Sequence, residues 1–185
     1  MRKGLVSNSL LVYSYVFIGQ LQSLGCVLAY LYVFWSHGIT MGDLWMSSIK
    51  SWQKDGEPFH TASGRTFSVD EQLYINRQAC SAWQMGIVFG QFFNIWSART
   101  RRISLFRHGF FSNKSLLVAL LVELVLINLY VYCPHLNEFL GGAPIPWQCW
   151  AIVAAMGIFI NVYNELRKLA IRTWPKNRVV QWLKW

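Results

Sequence analysis

The sequence predicts an all-α, polytopic membrane protein with four transmembrane helices, and three observations carry that expectation. The 185-residue chain is 54% apolar and 16% aromatic but only 14% charged, against about 25% charged in an average soluble domain. Four stretches, 10–35, 79–97, 115–133 and 147–166, are long and apolar enough to cross a bilayer, which takes roughly 20 residues. The 17 Lys and Arg fall mainly between those stretches, so a net charge that would suggest nucleic acid on a soluble surface reads here as membrane topology, with no nucleic-acid partner. Disorder is excluded by 10 Trp, 8 Tyr and 12 Phe, because disordered chains are poor in aromatic residues.

The first run follows Arg2 and Lys3 but is too long for a cleavable signal and ends in Tyr32, Phe34 and Trp35 rather than a small-residue cleavage site, so it is expected to remain as a helix. The connection 36–78 carries Asp43, Asp55, Glu57, Asp70 and Glu71 with Trp45, Trp52 and Phe59, broken by Gly56 and Pro58. That pattern predicts a lid or short amphipathic helices rather than a domain. In 79–97, Gln84 and Gln91 share one helical face with Asn94 beside it. Such amides either bind a cation through oxygen or hold helices together, at roughly 0.6–2 kcal/mol per hydrogen bond. Gly86 and Gly90 form a GxxxG pair that permits close helix approach. Gln20 and Gln22 lie about 200° apart and cannot serve one site together.

Glu123 falls near the middle of 115–133. An ionised acid at that depth costs about 2.5–3.5 kcal/mol, so it should face a helix, water or an ion. Alternatively it is protonated and hydrogen-bonded to a neighbouring helix. Pro146 before Trp147 marks the next helix start. At its far end Asn161, Asn164 and Glu165 share a face ahead of Arg167 and Lys168, the pattern of an interfacial helix end in which Glu165 pairs with Lys168 or with a basic residue of the inner loop.

Lys and Arg number 2 before the first run, 4 in 36–78, 5 in 98–114, none in 134–146 and 6 from Arg167 onward, so 13 of 17 share a side if both termini do. The positive-inside rule then places both termini and 98–114 in the cytoplasm of a multi-pass protein, with lipid as its first partner. Within 98–114, Arg101-Arg102-Ile103-Ser104-Leu105 is either a phosphorylation site at Ser104 or simply a topogenic basic loop. The 4 Cys and 4 His lack metal-ligand spacing, so no metal centre is expected. Cys133 and Cys149 could form a disulfide across the 134–146 turn, or all four thiols stay free.

Three blocks in order carry a resemblance: 98–106, Tyr132-Cys133-Pro134, and Val162 to Arg172 with Pro175. Together with Ser14-Tyr15, Ile18-Gly19 and Leu21 to Gly25 they resemble helices seven to ten of sodium/potassium- and proton/potassium-ATPase alpha subunits, a subgroup of P-type cation pumps, over nearly the whole of residues 1–185. The resemblance implies a carboxyl-terminal transmembrane domain in the plasma membrane. It implies that Gln91, Asn94 and Glu123 occupy cation-site positions, with Asn94 standing where sodium pumps have an aspartate of their third sodium site. It implies a beta-type subunit near Ala62-Ser63-Gly64-Arg65, where only the glycine of the family's Ser-Tyr-Gly-Gln contact is kept. The Asp-Lys-Thr-Gly-Thr phosphorylation motif and the Thr-Gly-Glu loop do not occur in the chain. ATP and magnesium are therefore expected only in a complete pump, no cofactor is expected here, and this chain is expected to be the support bundle without the motor. The reading from another class is a non-enzymatic membrane interaction protein that binds a full pump or its own copies.

Overall fold

The structure is a computed structural model that describes residues 11–98 and 113–174. The expected basic loop and Ser104, together with both termini, lie outside the described residues. Four long helices are present: α1 (Tyr13–Ser36), α3 (Val69–Ala98), α4 (Lys114–Tyr132) and α6 (Trp147–Thr173). Between them lie the short α2 (Met41–Leu44), a two-stranded antiparallel hairpin of β1 (Phe59–His60) with β2 (Thr66–Phe67), and α5 (Pro134–Leu140).

Helices α1, α3 and α6 pack on one another, whereas α4 leans chiefly on α3. Small residues set the spacing. Ala79, Ala82, Gly86 and Gly90 recur at helical intervals along α3 and are all buried, which lets backbones approach where larger side chains would hold them apart. A Cβ on Gly86 would stand 3.3 Å from the Cα of Cys26 in α1, and one on Gly90 2.6 Å from Nε2 of Gln22. The GxxxG pair is thus where α1 and α3 come closest to touching backbone to backbone.

Three helices are long and apolar enough to cross a membrane: α1, α4 and α6. The fourth expected span is a helix but falls short on hydropathy, because Gln84, Gln91 and Asn94 lie within its apolar run. Apolar side chains point outward along α4 and α6, with Leu121 62% and Phe159 54% exposed, the reverse of a water-soluble surface and the arrangement of a lipid-facing one.

Helix α3 begins at Val69, ten residues before the expected start at 79. Ser68 and Glu71 cap it: the Ser68 backbone N–H donates to Glu71 Oε2 at 2.8 Å, and the Glu71 N–H donates to Ser68 Oγ at 3.4 Å. This Ser-x-x-Glu capping box is polar, so it lies outside any hydropathy run.

The connection 36–68 folds into a lid around a small core of Ile39, Phe59 and Phe67 with Phe34, Trp52 and Ile75. Its keystone is Gln72, fully buried, which accepts from the Trp52 N–H at 2.8 Å and donates from Nε2 to the carbonyls of Glu57 and Phe67, each at 3.1 Å. A second tie runs across the bundle end: His37 Nε2 meets Gln78 Oε1 at 2.9 Å, and Gln78 donates to the Pro144 carbonyl. The lid, α3 and the second turn are thereby joined. All four cysteines are free thiols.

Candidate functional site

Near the Ala98 end of α3, Gln91 is exposed and Asn94 half-buried, and Asn94 Nδ2 donates to Gln91 Oε1 at 3.3 Å. Gln84, two turns back, is also exposed. The stripe therefore does not glue these four helices together, which corrects one of the two roles read for it. The reason is rotational: the small-residue ridge of α3 takes the inward face, and the amides fall outside it.

The helix-joining bonds are made by other residues. Asn161 Nδ2 of α6 donates to the Phe93 carbonyl of α3 at 3.3 Å, and Cys149 Sγ lies 3.7 Å from the Ala29 carbonyl of α1. Glu123 sits on α4, half-buried. Among the described residues it makes no hydrogen bond or ion pair with Gln91 or Asn94. No group of three or more His, Cys, Asp or Glu able to hold a metal occurs among the described residues.

A second polar cluster was not singled out as a site from sequence. The first turns of α1, Tyr13–Ile18, form a π-helical segment in which the Gly19 N–H reaches the Ser14 carbonyl. This widened turn directs Tyr13 at α6, where its hydroxyl donates to Asn164 Oδ1 and its ring lies 5.5 Å from the Arg167 guanidinium. Asn164, Arg167 and Lys168 are all buried, Lys168 completely, and Lys168 pairs with Glu165 at 2.9 Å.

The Glu165–Lys168 pair is the one the sequence suggested, but both cations are buried in the packing, where a helix end exposed to water was expected. The signal was present in the periodicity: Val153, Gly157, Ile160 and Asn164 trace the buried face of α6, and four further residues along it comes Lys168.

With that geometry in place, comparison with known proteins is decisive. The model of the family described as cation transporting ATPase, C-terminus, matches residues 1–170. The chain belongs to this family. It is 31% identical over 176 residues to potassium-transporting ATPase alpha chain 1 of Xenopus laevis, covering 94% of this chain and 17% of that protein. To the human potassium-transporting ATPase alpha chain 2 it is 30% identical, covering 92% of this chain and 16% of that one. To sodium/potassium-transporting ATPase subunit alpha-3 of Rattus norvegicus it is 26% identical, with coverage of 92% and 17%. The chain thus spans about a sixth of the length of these relatives. It corresponds to the carboxyl-terminal membrane region of P-type cation ATPase alpha chains, as the resemblance implied.

Proposed function

We propose that these residues are the membrane-support domain of a sodium/potassium-type cation pump, and that transport requires phosphorylation and nucleotide machinery that the 185 residues do not contain. The observation that carries the reading is the exposed polar stripe of α3. Gln84 and Gln91 stand unburied with Asn94 beside them, and Glu123 is half-buried on α4. In hydrocarbon such groups are costly and require protein or water against them. Further pump helices supply that cover, and the cation passes beside Gln91, Asn94 and Glu123. The buried faces of α1, α3 and α6 hold this surface in place.

In this reading both termini and the basic loop are cytoplasmic, in keeping with the distribution of Lys and Arg, and the plasma membrane is the location that the family resemblance implies. ATP and magnesium act on the missing machinery. A beta-type subunit would meet the lid near Gly64, the retained glycine of the family contact.

Co-expression with the amino-terminal portion of a related pump tests the proposal. Recovery of cation-dependent ATPase activity supports it, and zero activity with both pieces present in the membrane overturns it. Affinity capture addresses the second class of function. Recovery of a complete pump would favour a non-enzymatic partner that uses the same stripe.

A further inference from the structure

The lid carries apolar side chains on its outside. Trp45 is 82% exposed, Met46 64% and Ile49 66%. Local geometry projects them. Thr40 and Asp43 close the capping box that starts α2, the helix ends at an extended Trp45, Met46 takes a left-handed φ of 60°, and a short 3₁₀ turn over Ser47–Ile49 follows. The knuckle is braced from behind, since the Ala62 N–H donates to Asp43 Oδ1 at 2.9 Å and Trp52 Nε1 donates to Ser47 Oγ at 3.0 Å.

Much of its backbone is satisfied within itself. The N–H groups of Leu44, Trp45, Ile49 and Lys50 all reach carbonyls three or four residues back. That is a requirement for surface that meets lipid, where unpaired backbone groups are costly.

An independent observation comes from the other turn at the same end of the bundle. On α5, Phe139 is 85% exposed. The His37–Gln78–Pro144 bonds place this turn and the lid together at the Ser36 end of α1. That end is where the long helices carry outward-facing tryptophans, Trp35 at 46% and Trp147 at 71% exposed. Trp is enriched at the level where headgroups meet acyl chains.

We propose that the Trp45–Met46–Ile49 knuckle and Phe139 rest in the headgroup–acyl boundary of the leaflet at the Ser36 end of α1, so that lipid, rather than another protein, covers them. Continuity with the tryptophans at the helix ends, and a backbone whose Leu44, Trp45, Ile49 and Lys50 N–H groups are satisfied locally, favour lipid as the occupant. The inference rests on the membrane-spanning reading of the bundle. Seated there, the knuckle ties the lid to the bilayer surface.

The test uses the full chain in phosphatidylcholine nanodiscs with nitroxide labels at Ile49→Cys and Phe139→Cys, in a background of Cys80→Ser and Cys133→Ser. Gln53→Cys serves as the aqueous reference and Leu121→Cys as the lipid reference. Collision with oxygen should exceed collision with a nickel chelate at 49 and 139, as at 121, and the order should reverse at 53. Nickel dominance at 49 and 139 with lipid behaviour at 121 overturns the proposal and leaves the membrane reading standing. Protection from both probes also overturns it, in favour of a protein cover. Aqueous behaviour at 121 overturns the membrane reading itself. Photoactivated diazirine phosphatidylcholine on the unaltered chain gives a second readout: adducts on 45–49 and on Phe139 are expected, and their absence beside adducts on α4 overturns the proposal.

Discussion

The Phe93 ring of α3 lies against Gly157 of α6 so closely that a Cβ built on the glycine would stand 2.2 Å from a ring carbon. A gain of about 1 kcal/mol in helix propensity accompanies Gly→Ala in a helix interior. Overpacking a filled contact costs about 1–3 kcal/mol, and at 2.2 Å the clash dominates. Gly157→Ala should therefore lower the thermal midpoint in detergent. Gly42→Ala in α2, whose nearest atom would be Thr40 Oγ1 at 3.8 Å, should leave it unchanged. Equal midpoints for both variants would show that α3 and α6 are not held at this separation.

Gln72→Ala should loosen the lid without unfolding the bundle. The substitution strands the Trp52 N–H and two carbonyls beneath the lid, and each buried group left unsatisfied costs about 1–3 kcal/mol. Limited proteolysis should cut within 50–67 much faster than in the parent chain, while helical circular dichroism stays near its parent value. An unchanged cleavage rate would mean that the aromatic core holds the lid alone.

Acidification should open the same lid. The Ala62 N–H, then the Thr40 hydroxyl and backbone N–H, hold the Asp43 carboxyl below its ordinary value, and the Ser68 backbone N–H and hydroxyl do the same for Glu71. Both folded values are depressed, so the stabilisation is present above the unfolded values of 3.8 and 4.5 and is lost as pH falls through the lower folded values. Pepsin cleavage within 37–68 should climb as pH drops below about 4. Asp43→Asn and Glu71→Gln should already be cut faster at the upper end of pepsin's range and respond less to further acid. A parallel response in parent and variants would remove these two caps as the cause.

Glu123→Gln should weaken cation activation of ATPase in the reassembled pump by about tenfold or more, since a hydrogen bond to a charged group is worth roughly 1.5–3 kcal/mol. Asn94→Asp should act in the opposite direction by restoring a negative charge beside Gln91. Thermal stability of the bundle should not follow either change, because Asn94 bonds only Gln91 and Glu123 has no bonding partner among the described residues. Activation curves that overlay the parent would exclude these positions from the cation path.

The four long helices were legible because lipid imposes a length and an apolar composition that can be counted along the chain. The start of α3 was less so. Its Ser68 and Glu71 cap is a local hydrogen-bond pattern, and the ten residues it adds stand outside the hydropathy run. The amide stripe showed which residues share a face but not where that face points. Lys168 read as a helix-end cation because lysine ordinarily seeks water, yet the period of α6 carries it into the packing.

Composition, helix periodicity and the placement of basic residues thus determined by themselves that this is a helical membrane region and which segments are its long helices. These properties are local, set by each segment's own contact with lipid. Only the tertiary structure decided that α3 is the central helix, that Gln84 and Gln91 face outward, and that Tyr13 meets Asn164 across 151 residues. A helix's rotation about its axis is chosen by which small residues let a neighbour's backbone come close, and that choice depends on the neighbour as much as on the helix.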